Sequence, residues 1–284
     1  MSNKLASILT HYTWDLAYFD CHDQDFENLD IKALHYIKNP YKIKWFADPF
    51  ILDVEKNEFQ LLVEEYDNSI KRGRIARLVV DKLRNVITEC KIVLDLPTHL
   101  SFPAIYRIGT QIIVHPENSA SGASYMYKYD VESDSLVDPI CVLNEPVTDA
   151  IIRKEGEGQY MMRATCAPNP NGDILRYYTA DSLMGPYSFY REEVFENNTA
   201  RMAGYLFQHK DKIIRPAQDC YGSYGKAVLF YDGHQVLGKL SPVGIKYCGI
   251  HTYNTYQGIG IVDLKRWDYP FLVAVKDVVK KIIR

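Results

Sequence analysis

Phe46-Ala47-Asp48-Pro49-Phe50-Ile51-Leu52 opens a pattern that returns along the whole chain. Its counterparts begin at Leu100-Ser101-Phe102-Pro103-Ala104, Val147-Thr148-Asp149-Ala150-Ile151, Arg201-Met202-Ala203-Gly204-Tyr205 and His251-Thr252-Tyr253-Asn254. With Asp48, Phe102, Asp149, Ala203 and Tyr253 taken as equivalent, the period is about fifty residues, the length of a propeller blade.

Each copy continues as an apolar strand, a polar turn, a second apolar strand and a later strand. In the first copy the later pieces are Phe59-Gln60-Leu61-Leu62-Val63 and Arg74-Ile75-Ala76-Arg77-Leu78-Val79-Val80-Asp81. Short runs rich in β-branched and aromatic residues, separated by turn signals, are strands. The expectation is an all-β, five-bladed β-propeller forming one domain over residues 1–284. The fifth copy stops after Ile261-Val262-Asp263, so that blade needs a strand from elsewhere. Tyr12-Thr13-Trp14-Asp15-Leu16-Ala17-Tyr18-Phe19 is the candidate, because joining both chain ends in one blade removes the last open edge.

The chain of 284 residues is 47% hydrophobic, enough to bury a sizeable core, and its net charge of -3 disfavours nucleic acid as a partner. Cys21, Cys90, Cys141, Cys166, Cys220 and Cys248 lack metal-type spacing and read as reduced thiols. No segment resembles a signal peptide or a membrane span, so a cytoplasmic location is expected. At about 270–284, Leu272, Val275, Val278, Val279, Ile282 and Ile283 fall at helical spacing among lysines and an arginine. Such a short amphipathic helix packs on the propeller or makes peripheral contact with the inner membrane face.

In a propeller the repeat starts and the loops after the second strands converge on one end of the axis. The repeat starts bring Asp48, Ser101, Asp149, Arg201 and His251 there. The second strands bring Glu64-Glu65-Tyr66, His115-Pro116-Glu117, Arg163 and Arg215-Pro216-Ala217-Gln218-Asp219. Glu64 and Glu65 are adjacent on a strand, so at most one faces the channel. Asp48 before Pro49 also suits a turn cap, and a lone His251 also suits a structural hydrogen-bonding role.

These residues carry a resemblance. The Phe46-Ala47-Asp48-Pro49-Phe50 start, Asp149 and the blade period resemble the five-bladed furanosidase superfamily, exemplified by glycoside hydrolase family 43. Val63-Glu64-Glu65-Tyr66, Leu100-Ser101-Phe102-Pro103, Pro116-Glu117, Tyr178-Thr179-Ala180-Asp181-Ser182-Leu183-Met184-Gly185-Pro186-Tyr187, Arg215-Pro216-Ala217-Gln218-Asp219 and His251-Thr252-Tyr253-Asn254 add a closer likeness. It is to the N-terminal domain family named after the plant glucosamine inositolphosphorylceramide transferase. The likeness runs from about Trp14 to Val262 and does not extend to that enzyme's separate glycosyltransferase domain, so transferase activity is not implied by it.

The hydrolase resemblance implies Asp48 as general base and Asp149 as the group that tunes the acid. Where those hydrolases place a Glu acid, this chain has Arg201-Met202-Ala203-Gly204. Glycoside chemistry commonly needs two carboxyl groups, one protonated, so the expected replacement acid is Glu117, with Glu65 or Asp219 next. Glu65, Arg163, Arg201, Arg215, Asp219 and His251 are the expected substrate-binding groups. No cofactor is expected, apart from a channel cation near His251 that the resemblance suggests. Three arginines at one rim would be unusual for a neutral arabinan site and would fit an anionic sugar or a phosphorylated donor. The expected function is a glycosidase-like or glycosyl-transferring enzyme acting on a furanoside or a cell-surface polysaccharide precursor. The alternative is a non-catalytic glycan-binding propeller.

Overall fold

The structure, a computed structural model, describes residues 11–21, 33–242 and 246–273. It begins with β1 (Tyr12–Asp20) and β2 (His35–Tyr36). The first blade is β3 (Lys44–Val54), β4 (Glu58–Asp67), β5 (Arg72–Asp81) and β6 (Val86–Leu94). The second is β7 (Ser101–Ile108), β8 (Gln111–Glu117), β9 (Ser124–Asp130) and β10 (Ser135–Leu143). The third is β11 (Val147–Gly156), β12 (Gln159–Cys166), β13 (Ile174–Ala180) and β14 (Ser188–Val194). The fourth is β15 (Phe207–His209), β16 (Lys212–Asp219), β17 (Ala227–Asp232) and β18 (Gln235–Leu240). The fifth holds β19 (Tyr247–Gly249), β20 (Tyr253–Tyr256) and β21 (Ile259–Trp267), completed by β1 and β2.

Burial follows position in the blade. The seven central residues of β3, Phe46 to Leu52, are buried on both faces, because each inner strand lies between neighbouring blades. Almost every residue of the outermost strand β14 is exposed. This explains why inner strands read as continuous apolar runs rather than as an alternation. The interior consists of inter-blade layers, for example Phe50, Phe102, Leu100 and Tyr177 in one cluster and Phe59, Leu61 and Val63 in another.

The closing blade is shared as expected. β1 runs antiparallel to β21 from Tyr12 opposite Trp267 to Asp20 opposite Ile259. Chain ends far apart in sequence thereby lock the ring through a full-length ladder.

The inner strands divide into two kinds. In the first three blades each is bulged, with register shifts at Ala47/Phe50, Ser101/Ala104 and Thr148/Ile151. The residue at each bulge, Asp48, Phe102 or Asp149, has a positive φ of 50°, 44° or 48°. Non-glycine residues rarely adopt this conformation, and bulges are a known way to re-aim a side chain. Blades four and five have broken inner strands instead, and at Met202 only a single bridge to Ala217 precedes β15. There Gly204 has φ 149°, and a Cβ on it would lie 2.1 Å from the Tyr253 carbonyl oxygen. Gly204→Ala should therefore cost about 2–3 kcal/mol of stability, read as an earlier urea midpoint. An unchanged midpoint would mean the blade-four to blade-five junction relaxes freely.

A helical turn starts at residues 270–273, with Phe271 and Leu272 exposed. The rest of the expected amphipathic helix lies outside the described residues. Among the described residues no helix is long and apolar enough to cross a membrane. All six cysteines are unpaired.

Candidate active site

The axis is closed at one level by aromatic rings. Phe50 packs edge-on against Phe102 and Tyr205, and Tyr106 packs edge-on against Tyr205. The Tyr205 hydroxyl reaches across from blade four to bond the backbone of Ile105 in blade two at 2.5 Å. On the other side of this floor lies a ring of acids.

Strand register explains which acids reach it. Glu64 pairs with Ala47 and Glu117 with Ser101, each opposite the residue just before a bulge. Thr165 occupies the same rung in blade three, opposite Thr148, and Ala217 in blade four, opposite Met202. In blade five Tyr253 pairs with Val262, which puts Asp263 on that rung beside Thr252. Two bulge residues, Asp48 and Asp149, and three rung residues, Glu64, Glu117 and Asp263, therefore converge from four blades.

Asp48 is held on all sides. Its Oδ1 accepts a hydrogen bond from Thr252 Oγ1 at 2.9 Å and faces His251 Nε2 at 3.3 Å. Its Oδ2 accepts from the Phe102 N–H at 3.2 Å. Burial pushes its carboxyl up to about 7 against the pull of His251, with Asp149 and Asp263 adding to the rise.

His251 lies stacked on Trp14, ring centres 3.9 Å apart, with its Nδ1 2.7 Å from Asp263 Oδ2. Burial alone would lower its pKa, but Asp263 and Asp48 together hold it above the ordinary value. Burial would likewise raise Asp263, yet His251 and the N–H groups of Asp48 and His251 keep it low. The three side chains place ligand atoms within 4.8 Å of one another, close enough for a metal ion. Both imidazole nitrogens nevertheless face carboxylate oxygens, so a protonated His251 already supplies positive charge at that spot.

Asp149 Oδ2 accepts from Arg201 Nε and from Gln218 Nε2, both at 2.6 Å, while its buried Oδ1 has no protein donor. Arg201 also donates to Asn171 Oδ1 at 2.6 Å and lies over the Tyr224 ring. Arg201, in place of the acid the hydrolase resemblance leads one to look for, is thus committed to a carboxylate within the ring.

Glu64 differs from the other acids. It is 6% exposed and borders a cavity of about 540 Å³ lined also by Tyr12, Trp14, Trp45, Tyr66, His99 and Tyr224. Burial raises its pKa well above the ordinary value, and the charges of Asp48, Glu117, Asp263 and Asp149 raise it further. His99 Nδ1 accepts the Gly73 N–H at 2.9 Å, which leaves the ring proton on Nε2, 3.3 Å from Glu64 Oε1. Burial lowers the His99 pKa, so that ring is neutral near neutral pH.

Of the residues singled out in the sequence, the structure brings Asp48, Asp149, Glu117, Arg201 and His251 together at the axis. Glu117 is held by the Ser101 hydroxyl at 3.0 Å and the Ser119 N–H at 2.8 Å. Four others lie elsewhere, which corrects the expectation that they share the pocket. Glu65 points to the opposite face of β4, fully buried between Arg74 and Lys44. Arg163 bonds Glu155 at 2.6 Å and lies over Tyr177. Arg215 stacks on Phe195 and donates to the carbonyls of Thr199 and Ala200, its pKa pushed down to about 10 by burial. Both arginines occupy one rung, two residues before the channel rung, and sit between blades three and four. Asp219 is taken by Lys239 at 2.9 Å and Lys226 at 3.5 Å.

Glu64 was recognisable as an alternative to Glu65, but Asp263 was overlooked, as were His99, Tyr224 and Trp14. The signal for Asp263 was its rung, which the repeat alignment contains once the second strands are aligned as well as the first.

Fold and site define a five-bladed propeller with a cluster of buried acids, one of which, Glu64, opens onto an aromatic-walled cavity. Residues 31–240 match the family described as glucosamine inositolphosphorylceramide transferase 1, N-terminal, and the chain belongs to that family. It is similar to glucosamine inositolphosphorylceramide transferase 1 of Oryza sativa subsp. japonica, 25% identical over 201 residues covering 67% of this chain and 26% of that protein. The Arabidopsis thaliana protein of the same name is 26% identical over 193 residues, covering 65% and 25%. The chain thus spans about a quarter of the length of these relatives. Among solved structures, the alpha-L-arabinofuranosidase PaAbf62A of Podospora anserina, in complex with cellotriose, superposes with a TM-score of 0.53 at 7% identity, covering 77% of this chain and 90% of that one. The catalytic domain of the Coprinopsis cinerea GH62 alpha-L-arabinofuranosidase gives the same figures. At this identity the likeness is one of fold.

Proposed function

We propose that the axial cavity binds a carbohydrate and makes or breaks a glycosidic bond, with Glu64 as the protonated carboxyl and Asp48, ionised above about pH 7, as its partner. The observation that carries this reading is Glu64 itself, a buried carboxyl opening onto a cavity walled by Trp14, Trp45, Tyr66 and Tyr224. Aromatic faces stack on sugar rings, and glycoside chemistry pairs a carboxyl that donates a proton with a carboxylate that accepts one. Asp149 and Arg201 position the ring from the far side. Glu117, both of whose oxygens accept hydrogen bonds, acts in this reading by keeping Glu64 protonated rather than as the acid. Carbohydrate-related relatives support the substrate class, and a furanoside or polysaccharide precursor is its narrower form.

The reading takes His251, clamped between two carboxylates, as the resident positive charge, and routes no step through a metal ion. The apolar and basic spacing of the last residues supports work at the inner membrane face.

One observation favours a second reading, a glycan-binding propeller without turnover: Arg201, tied to Asp149, stands where the resemblance places the hydrolase acid. The test is a thermal-shift screen against aryl furanosides, oligosaccharides and nucleotide sugars, followed by product release. Asp48→Asn should abolish release, by about a hundredfold or more, while leaving sugar-induced stabilisation in place. Stabilisation without release from the wild type supports the binding module. No stabilisation by any sugar overturns both readings.

A further inference from the structure

The axial cavity offers a phosphate a single lysine, Lys71, and no uncommitted guanidinium, because Arg201 is held by Asp149 and the other two arginines lie between blades. A second cavity of about 470 Å³ adjoins it, sharing Trp14, Trp45 and Asn68 as a common wall. Its lining carries Lys38, Lys42, Lys44, Lys246 and Arg266 against one carboxylate, Asp15. This concentration of positive charge is unexpected in a chain of net charge -3.

Two of the five cations are already paired. Lys44 bonds Glu65 at 2.6 Å, and Arg266 bonds Asp15 at 2.9 Å. Asp15 Oδ2 also accepts from the Tyr247 hydroxyl at 3.2 Å, so the single acid already serves Arg266 and Tyr247. Lys38, Lys42 and Lys246 are exposed and have no carboxylate partner among the described residues. Lys246 instead sits 4.7 Å from the centre of the Tyr247 ring, which stacks in parallel on Tyr36 at 5.5 Å. Unpaired ammonium groups around an aromatic wall attract an anion, and for a surface-exposed phosphate a lysine acts as a point charge.

We propose that this lysine-lined cleft is an anion subsite, taking a phosphate group carried next to the sugar that enters the axial cavity. The inference rests on the carbohydrate reading above and narrows it to phosphate-bearing glycans or sugars. A phosphorylated sugar in solution and a phospholipid headgroup present the same chemistry.

The experiment measures binding of methyl glucoside, glucose 1-phosphate and inorganic pyrophosphate, with the wild type and with a triple variant, Lys38→Gln, Lys42→Gln and Lys246→Gln. Because all three lysines are exposed, the variant should fold, and an unchanged melting curve checks this. Glucose 1-phosphate should bind the wild type about tenfold or more tighter than methyl glucoside. That gain should vanish in the triple variant and in high salt. Equal binding of glucose 1-phosphate by wild type and variant overturns the subsite while the axial reading stands. Pyrophosphate binding that the variant loses, with no response to either sugar, supports the cleft and overturns the axial reading instead. Co-sedimentation with phosphatidylcholine vesicles containing phosphatidylinositol, lost in the variant, identifies the headgroup as the source. Binding of glucose 1-phosphate without co-sedimentation identifies the soluble compound.

Discussion

Glu64→Gln should make the protein more stable, and the gain should grow as the pH is raised. The wild-type carboxyl is held well above its ordinary value by burial and by the surrounding carboxylates. A folded state that keeps a proton the unfolded chain has released loses stability with rising pH. The sign follows directly: the stability associated with this group is fully present below the unfolded value of 4.5 and is lost as the pH climbs through the folded value. Each pH unit in that window costs about 1.4 kcal/mol. Gln keeps the shape and the oxygen that faces His99 Nε2 but cannot ionise, so it avoids this cost. Melting curves of the two proteins at pH 5 and pH 8 should nearly coincide at the lower pH and separate by several degrees at the higher. A gap that stays constant with pH would show that Glu64 is ionised in the folded protein, and the proposed proton donor would be lost with it. The same substitution should remove any glycosidic turnover, so the stabilised protein would be the inactive one, as expected where a strained group serves chemistry.

The blade period was visible because repeat starts such as Phe46-Ala47-Asp48-Pro49-Phe50 and Val147-Thr148-Asp149-Ala150-Ile151 keep both residue type and spacing. Ring closure was visible for a related reason: the fifth copy lacked strands, and a strand from the N-terminal run Tyr12-Thr13-Trp14-Asp15-Leu16-Ala17-Tyr18-Phe19 would remove the last open edge. Facing direction was not legible. Glu64 and Glu65 are neighbours with the same side chain, and the bulge at Asp48-Pro49 shifts the register that decides between them. A one-residue slip sends every side chain to the other face. The arginines were indistinguishable for a similar reason. Arg201 precedes an inner strand and reaches Asp149, whereas Arg163 and Arg215 sit on a second-strand rung between blades. Asp263 resembled the strand-ending Asp81 and Asp130, which accept backbone N–H bonds in their turns. The pairing of Tyr253 with Val262 shows that it belongs with Glu64 and Glu117 instead, a rung that the first strands alone do not reveal.

Replacing Asp263 should be the most damaging single change in the molecule. Its fully buried carboxylate accepts the Asp48 N–H at 2.9 Å and the N–H groups of His251 and Thr252 at 3.0 Å, and it faces the His251 ring at 2.7 Å. Asp263→Ala strands three backbone donors and leaves a buried imidazolium beside Asp48 alone, a loss of about 3–5 kcal/mol. For a chain of this size that is a fall in Tm of roughly 10 °C. Asp263→Asn keeps acceptor oxygen for the backbone donors but not the charge, so it should cost less, and the difference between the two variants measures the ion pair. The pH dependence carries a second signature. Asp263 is lowered in the fold, so its contribution is present above its unfolded value of 3.8 and is lost as the pH falls through the folded value. His251 is raised, so its contribution is full below 6.5 and is lost as the pH rises through its folded value. The gap between wild type and Asp263→Asn should therefore be widest in mildly acidic solution and shrink toward either extreme. A flat gap would show that hydrogen bonding alone holds this corner. Because Trp14 on the N-terminal strand stacks on the same imidazole, loss of Asp263 should also loosen the closing blade, exposing Trp14 to quenchers before the other blades unfold.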